Sequence, residues 1–167
     1  MKYQVKLNSI EDADEYFLVA KDRLLDVNEW NSILTDNYNT FALTNAQGQK
    51  LHRDAHCGDM IKASIELNNT RKDRWLHIDK IQYDSYPDIN AEEISMNLQL
   101  SYSPSGNGVD LSKYKEEDRY LTVVINRTQA LVTIKNTATA KDTLFDIPTK
   151  NIDQLLKGIL TISEYSA

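Results

Sequence analysis

Residues 2–7 alternate, with Tyr3, Val5 and Leu7 on one face and Lys2, Gln4 and Lys6 on the other. That is the period-two signature of a half-buried strand. From Ser9 the period changes. Ser9 with Asp12 three residues later is an N-cap with an acid in the first turn. Ala13, Tyr16, Phe17, Ala20, Leu24 and Val27 then recur at helical spacing, giving an amphipathic helix one apolar face. A short second helix is expected to follow and to carry Trp30 and Ile33 toward the core.

The middle of the chain returns to period two. Residues 39–44 form a strand that ends in the turn signal around Gly48. In 59–67, Ile61, Ala63, Ile65 and Leu67 alternate with Lys62, Ser64 and Glu66. Residues 73–84 read as a longer strand. One of its faces carries Trp75, His77, Asp79, Ile81 and Tyr83, the other Leu76 and Ile78, so the pattern leaves its buried side open. Across 92–102, Ile94, Met96, Leu98, Leu100 and Tyr102 face inward against Glu93, Ser95, Asn97, Gln99 and Ser101. A polar loop fills 103–118, at about sixteen residues longer than ordinary connections. Residues 119–126 and 130–136 read as a hairpin joined near Arg127 and Thr128, and 142–147 as a weaker extended piece.

The chain closes on a helix that Asn151 can cap, with Gln154 three residues on. Ile152, Leu155, Leu156, Ile159 and Leu160 form its buried stripe, and Gly158 weakens it by up to ~1 kcal/mol. No repeat or linker-like shift interrupts residues 1–167, which are read as a single domain. The fold class is α+β: a curved antiparallel sheet of about six to seven strands covered by an N-terminal helix and a C-terminal helix. A meander sheet with one apolar face must cover that face, and the flanking helices are the elements available for it.

This order of elements, with Trp30 just after the first helix and the closing helix over 152–162, resembles the helix-grip fold of the START-like superfamily. There a curved antiparallel sheet wraps a C-terminal helix. The chain is also similar to bacterial proteins of about this length, a likeness that brings no activity with it. The helix-grip resemblance implies a cavity for a small apolar molecule between sheet and helix, and it brings no catalytic motif.

Composition narrows the classes. A formal charge of -6 with scattered basic residues argues against a nucleic-acid surface, since polyanions are met by clustered Lys and Arg. No apolar run approaches the ~20 residues needed to span a bilayer. The N-terminal residues lack the basic-then-apolar pattern of a signal peptide, and the single Cys57 fits a reducing compartment. The expected location is cytoplasmic.

The densest chemical cluster is His52, Arg53, Asp54, His56, Cys57 and Asp59. Two imidazoles four apart share a face on a helix, and a thiolate with carboxylates could complete a zinc site. The segment ends in Gly58 between two strands and lacks the glutamate of the zinc-peptidase pattern, so a polar connection with Cys57 as a small hydrophobe is the competing reading. No metal or other cofactor is assigned. No nucleophile elbow, phosphate loop or dinucleotide fingerprint occurs. The paired acids Glu92 and Glu93 read as a solvated edge.

Tyrosine dominates the aromatics, nine against two Trp and three Phe, and suits a wall that needs an apolar body with a polar tip. Trp30, Trp75, Tyr83, Tyr102 and Tyr114 are the candidate ligand-binding residues, with Tyr114 placed to close over a ligand. The leading reading is a binding module for a small apolar molecule. The alternatives are a structural or interaction subunit, with self-association left open, and a metal-dependent enzyme using His52 and His56.

Overall fold

A computed structural model describes residues 2–34, 39–106, 108–137 and 143–162. The first strand, β1 (Lys2–Lys6), leads into α1 (Ile10–Leu25), whose N-cap Ser9 accepts the Asp12 N–H through its side chain. Ala13, Tyr16, Phe17, Ala20 and Leu24 are buried, so the apolar stripe faces the core as its spacing requires. A turn of 3-10 helix, Val27–Glu29, passes into the single turn α2 (Trp30–Ile33). Strands β2 (Asn39–Thr44), β3 (Met60–Leu67), β4 (Thr70–Tyr86), β5 (Ala91–Ser101), β6 (Tyr120–Thr128) and β7 (Leu131–Asn136) follow. A two-stranded hairpin, β8 (Thr143–Leu144) with β9 (Ile147–Pro148), then runs straight into α3 (Thr149–Leu160).

The seven long strands form one curved antiparallel sheet in the order β1-β7-β6-β5-β4-β3-β2. β5 is its middle strand, and Ile94, Met96, Leu98 and Leu100 are all buried on the side that the helices cover. On α3, Ile152, Leu155, Leu156, Ile159 and Leu160 are buried. This is the helix-grip arrangement that the element order implies. The helices are also tied to each other. The Tyr16 hydroxyl donates to the Leu160 carbonyl, and Arg23 Nη1 donates to the Thr161 carbonyl at 2.8 Å. Both satisfy carbonyls that the end of a helix leaves without a partner. Trp30 Nε1 does the same for the Arg23 carbonyl at 3.1 Å.

Four local expectations change. The face of β4 was open because the strand has no single alternation: its register against β5 shifts between Ile78 and Lys80. A bulge there flips the parity, so Leu76 and Ile78 before it and Ile81 and Tyr83 after it all lie on the helix side. Tyr102 falls just past the end of β5 and is half exposed rather than inward. The β6–β7 turn lies at Gln129 and Ala130, two residues beyond the expected place, so Arg127 belongs to the strand and is buried. α3 starts at Thr149, which makes Asn151 part of its first turn rather than its cap. Of the extended piece at 142–147, residue 142 lies outside the described residues.

Candidate functional site

The interior between the sheet and α3 contains a void of about 30 Å³. Every side chain lining it is apolar, among them Trp30, Leu98, Leu121, Phe145, Ile147 and Leu156. The sheet floor comes from alternation on β4, β5 and β6, the roof from the α3 stripe, and one wall from Trp30, whose ring meets Phe41 edge-on at 5.5 Å. A space of this size is about the volume share of one water molecule, and with no polar partner it stays dry.

Phe145 is one of the side chains that line this space, and it is buried. It sits at the tip of the β8–β9 hairpin, where Phe145 and Asp146 both adopt left-handed backbone, φ 57° and 65°. A two-residue hairpin turn with positive φ at both positions matches the twist of its strands, but normally uses Asn or Gly. Left-handed backbone is costly for a bulky residue. Burial offsets this, since the Phe145 side chain is almost fully enclosed.

Asp146 points the other way and anchors the hairpin. Its carboxylate accepts from the Arg74 guanidinium of β4, through Nε at 3.0 Å and through Nη2, and from the Tyr114 hydroxyl at 3.0 Å. Burial pushes the Asp146 carboxyl up, but the Arg74 and Tyr114 hydrogen bonds outweigh it and hold the group below its ordinary value. Burial and the same carboxylate push the Tyr114 hydroxyl up. The long loop is shaped by two turns of 3-10 helix, Leu111–Lys113 and Glu116–Arg119, and Arg119 braces it through two bonds to the Tyr114 carbonyl at 3.1 and 2.9 Å. One polar clamp therefore joins the loop, β4 and the hairpin over an apolar interior.

The five aromatics singled out in the sequence do not converge. Trp30 lines the void. Tyr114 closes over the hairpin through Asp146 and has no place in the lining. Trp75 lies on the outer face of the sheet with the Lys62 ammonium 5.7 Å from its ring centroid. Tyr83 stands on the helix side but far along β4, against Phe17 at 6.4 Å and under the Lys21 ammonium at 5.0 Å. Tyr102 is half exposed. Phe41, Leu121, Phe145 and Ile147 carry the wall instead, and only their apolar character was there to be read.

The His52 to Asp59 segment is organised by an ion pair. Arg53 bonds both carboxylate oxygens of Asp59, at 2.7 and 3.0 Å, and the His56 N–H donates to the same carboxylate at 2.8 Å. Burial pushes this carboxyl up, yet these bonds win and its pKa lies below the ordinary value. Cys57 is exposed with its thiol on the Asp79 carbonyl, and His52 and His56 are also exposed. Among the described residues no three His, Cys, Asp or Glu side chains come together as a metal site.

Glu92 corrects the reading of the paired acids. It is buried, and its carboxylate meets Arg127 through Nε at 2.7 Å and Nη2 at 2.6 Å and accepts from the Tyr83 hydroxyl at 3.0 Å. Arg127 Nη1 also donates to the Asn90 and Gln129 carbonyls, both at 3.1 Å. The network fixes the end of the sheet far from the void.

These features define an α+β protein of helix-grip architecture with a closed apolar interior. No family model matches the chain, and no curated protein does. Solved structures do. One is the major latex-like protein 151 of Panax ginseng, 10% identical over 100% of this chain and 97% of that one, with a TM-score of 0.45. Another crystal form of it is 11% identical over 96% and 93%, with a TM-score of 0.46. Ara h 8.0201 is 8% identical over 96% of this chain and 93% of that one, with a TM-score of 0.41. Likenesses at this level transfer no residue role, and none of them supports the bacterial likeness expected from the sequence. Among the described residues no helix is long and apolar enough to cross a membrane.

Proposed function

We propose that the protein binds one small apolar molecule between the sheet and α3, and that the structure is its closed form. The observation that supports this is the wholly apolar lining of the interior, closed by a hairpin whose tip residue is held in left-handed backbone. Binding sites for small molecules measure ~300–1,000 Å³, so the void of about 30 Å³ admits a ligand only if something leaves. Phe145 is the residue to leave. Its hairpin pairs only two strand positions on each side, and swinging it out relieves backbone strain while the ligand replaces the ring's apolar contacts.

Native mass spectrometry tests the reading. The protein is incubated with a mixture of fatty acids, sterols and aromatic alcohols and then desalted. A one-to-one adduct with a restricted set of these compounds is the expected result. A bare mass under all conditions removes the reading. The smallness of the void favours the competing reading, an interaction subunit whose core is simply filled.

A further inference from the structure

The outer strands of the sheet are guarded in different ways. β2, the last strand on one side, has its free edge covered by side-chain amides. Asn31 donates to the Phe41 carbonyl and accepts the Phe41 N–H, both at 2.8 Å, and Asn28 accepts the Leu43 N–H at 3.0 Å. β1, on the other side, is short and carries Lys2 and Lys6. Antiparallel pairing of two copies of β1 about Gln4 would set lysine against lysine. Both are known ways of keeping an edge from recruiting a second strand.

A third edge lies within the sheet. β3 pairs with β4 only up to His77. Beyond it, Gly58 and Asp59 bond Ile78, and the Cys57 thiol meets the Asp79 carbonyl. Residues 80–86 continue on β5 alone. Their backbone direction follows from the neighbouring strands. The Gln129 N–H donates to the Asn90 carbonyl at 2.7 Å, so Asn90, and by alternation Glu92, face β6. Ala91, Glu93 and Ser95 therefore face β4, where they meet Tyr86, Asp84 and Gln82. This leaves the N–H and C=O groups of Ile81, Tyr83 and Ser85 pointing at the open edge. Among the described residues no backbone group bonds them there.

We propose that this edge pairs with the same edge of a second copy of the chain, antiparallel and centred on Gln82, joining two sheets into one. The sequence of the strand fits itself in that register. Lys80 falls opposite Asp84 of the other copy, twice by symmetry, and Ile81 falls opposite Tyr83. The charges have a reason to meet. Asp84 already stands directly across from Glu93 within the sheet, and like charges in that position destabilise it. A lysine from the second copy neutralises the pair. On the helix side the contact is flanked by apolar surface, with Tyr83 47% and Leu18 43% exposed. Leu18 lies on α1 between Phe17 and Lys21, the two residues that meet the Tyr83 ring. Opposite-sign ends make β4 self-complementary where β1 is self-repelling.

Sedimentation of charge variants tests this independently of ligand binding. The wild-type protein is expected to dimerise at high micromolar concentration. K80E and D84K each set like charges across both contacts and are expected to weaken the dimer at least about tenfold. An equimolar mixture of K80E and D84K restores complementary pairs at both positions and is expected to form a heterodimer. Lys80 is exposed and Asp84 half-buried, and unchanged melting temperatures confirm intact folds. A wild-type protein that stays monomeric overturns the proposal. So does a dimer that neither variant weakens, or a mixture that fails to associate.

Discussion

At Gly158 the side chain that is missing matters more than the backbone. α3 crosses α2 so closely that a Cβ there would overlap Ile33 Cγ2. Glycine costs the helix about 1 kcal/mol relative to Ala, while forcing a methyl into a packed contact costs ~1–3 kcal/mol. The G158A variant is therefore expected to melt lower than wild type, by up to ~2 kcal/mol in chemical unfolding, although the change raises helix propensity. A higher melting point would show that the two helices do not meet this tightly. The periodicity of α3 placed Gly158 correctly inside a helix, but nothing local to α3 could announce a neighbour more than a hundred residues away. Glu92 was hidden for the same reason. Its charge reads as solvent-facing until Arg127 is brought beside it by strand pairing. E92Q leaves a buried guanidinium short of its carboxylate and is expected to lose ~3 kcal/mol, whereas E92L with R127M is expected to lose much less. Equal losses for the single and the double change would mean the pair is not buried.

Elements with one unbroken period were legible, and those that break it were not. The α1 and α3 stripes appear at the expected residues, as does the alternation of β5 from Ile94 to Leu100. β4 appears where expected, and its buried side was left open because one bulge reverses the parity of everything after it. The β8–β9 hairpin failed because Phe and Asp are poor signals for a turn that needs positive φ twice. What fixes that turn is distant: Phe145 in the core, and Arg74 and Tyr114 on Asp146. This gives the hairpin a pH dependence with a definite sign. The folded pKa of Asp146 lies below its ordinary value of 3.8, so its contribution is complete above that value and is lost as pH falls through the folded pKa. D146N is expected to be about 1 kcal/mol less stable than wild type near neutral pH, the exposure of the carboxylate limiting the effect. The gap should close as pH falls through the folded pKa of Asp146. A gap that persists in acid would mean Asp146 acts through packing and not through charge.

For the molecule as a whole, the α+β class and the covered antiparallel sheet follow from the order of strand and helix periods, because an apolar sheet face has few available covers. The site does not follow from it. Aromatics were taken as pocket linings by chemical type, and a strand offers two faces, so Trp75 went to the outer one. Trp30 lines the void, held there by its bond to the Arg23 carbonyl at the end of α1.

In the proposed reading Phe145 is the stopper of the apolar interior, and removing it is the direct experiment. Phe145→Gly keeps the left-handed backbone, now without strain, and empties the ring's volume. Apolar voids of ~150 Å³ in other proteins stay dry and bind benzene-sized molecules. Titration of wild type and F145G with a naphthalene-based fluorescent dye is expected to give saturable one-to-one binding for both, at least about tenfold tighter for F145G because no plug has to move. A folded F145G variant that binds the dye no better than wild type, with neither saturable, would contradict an interior built to hold a ligand.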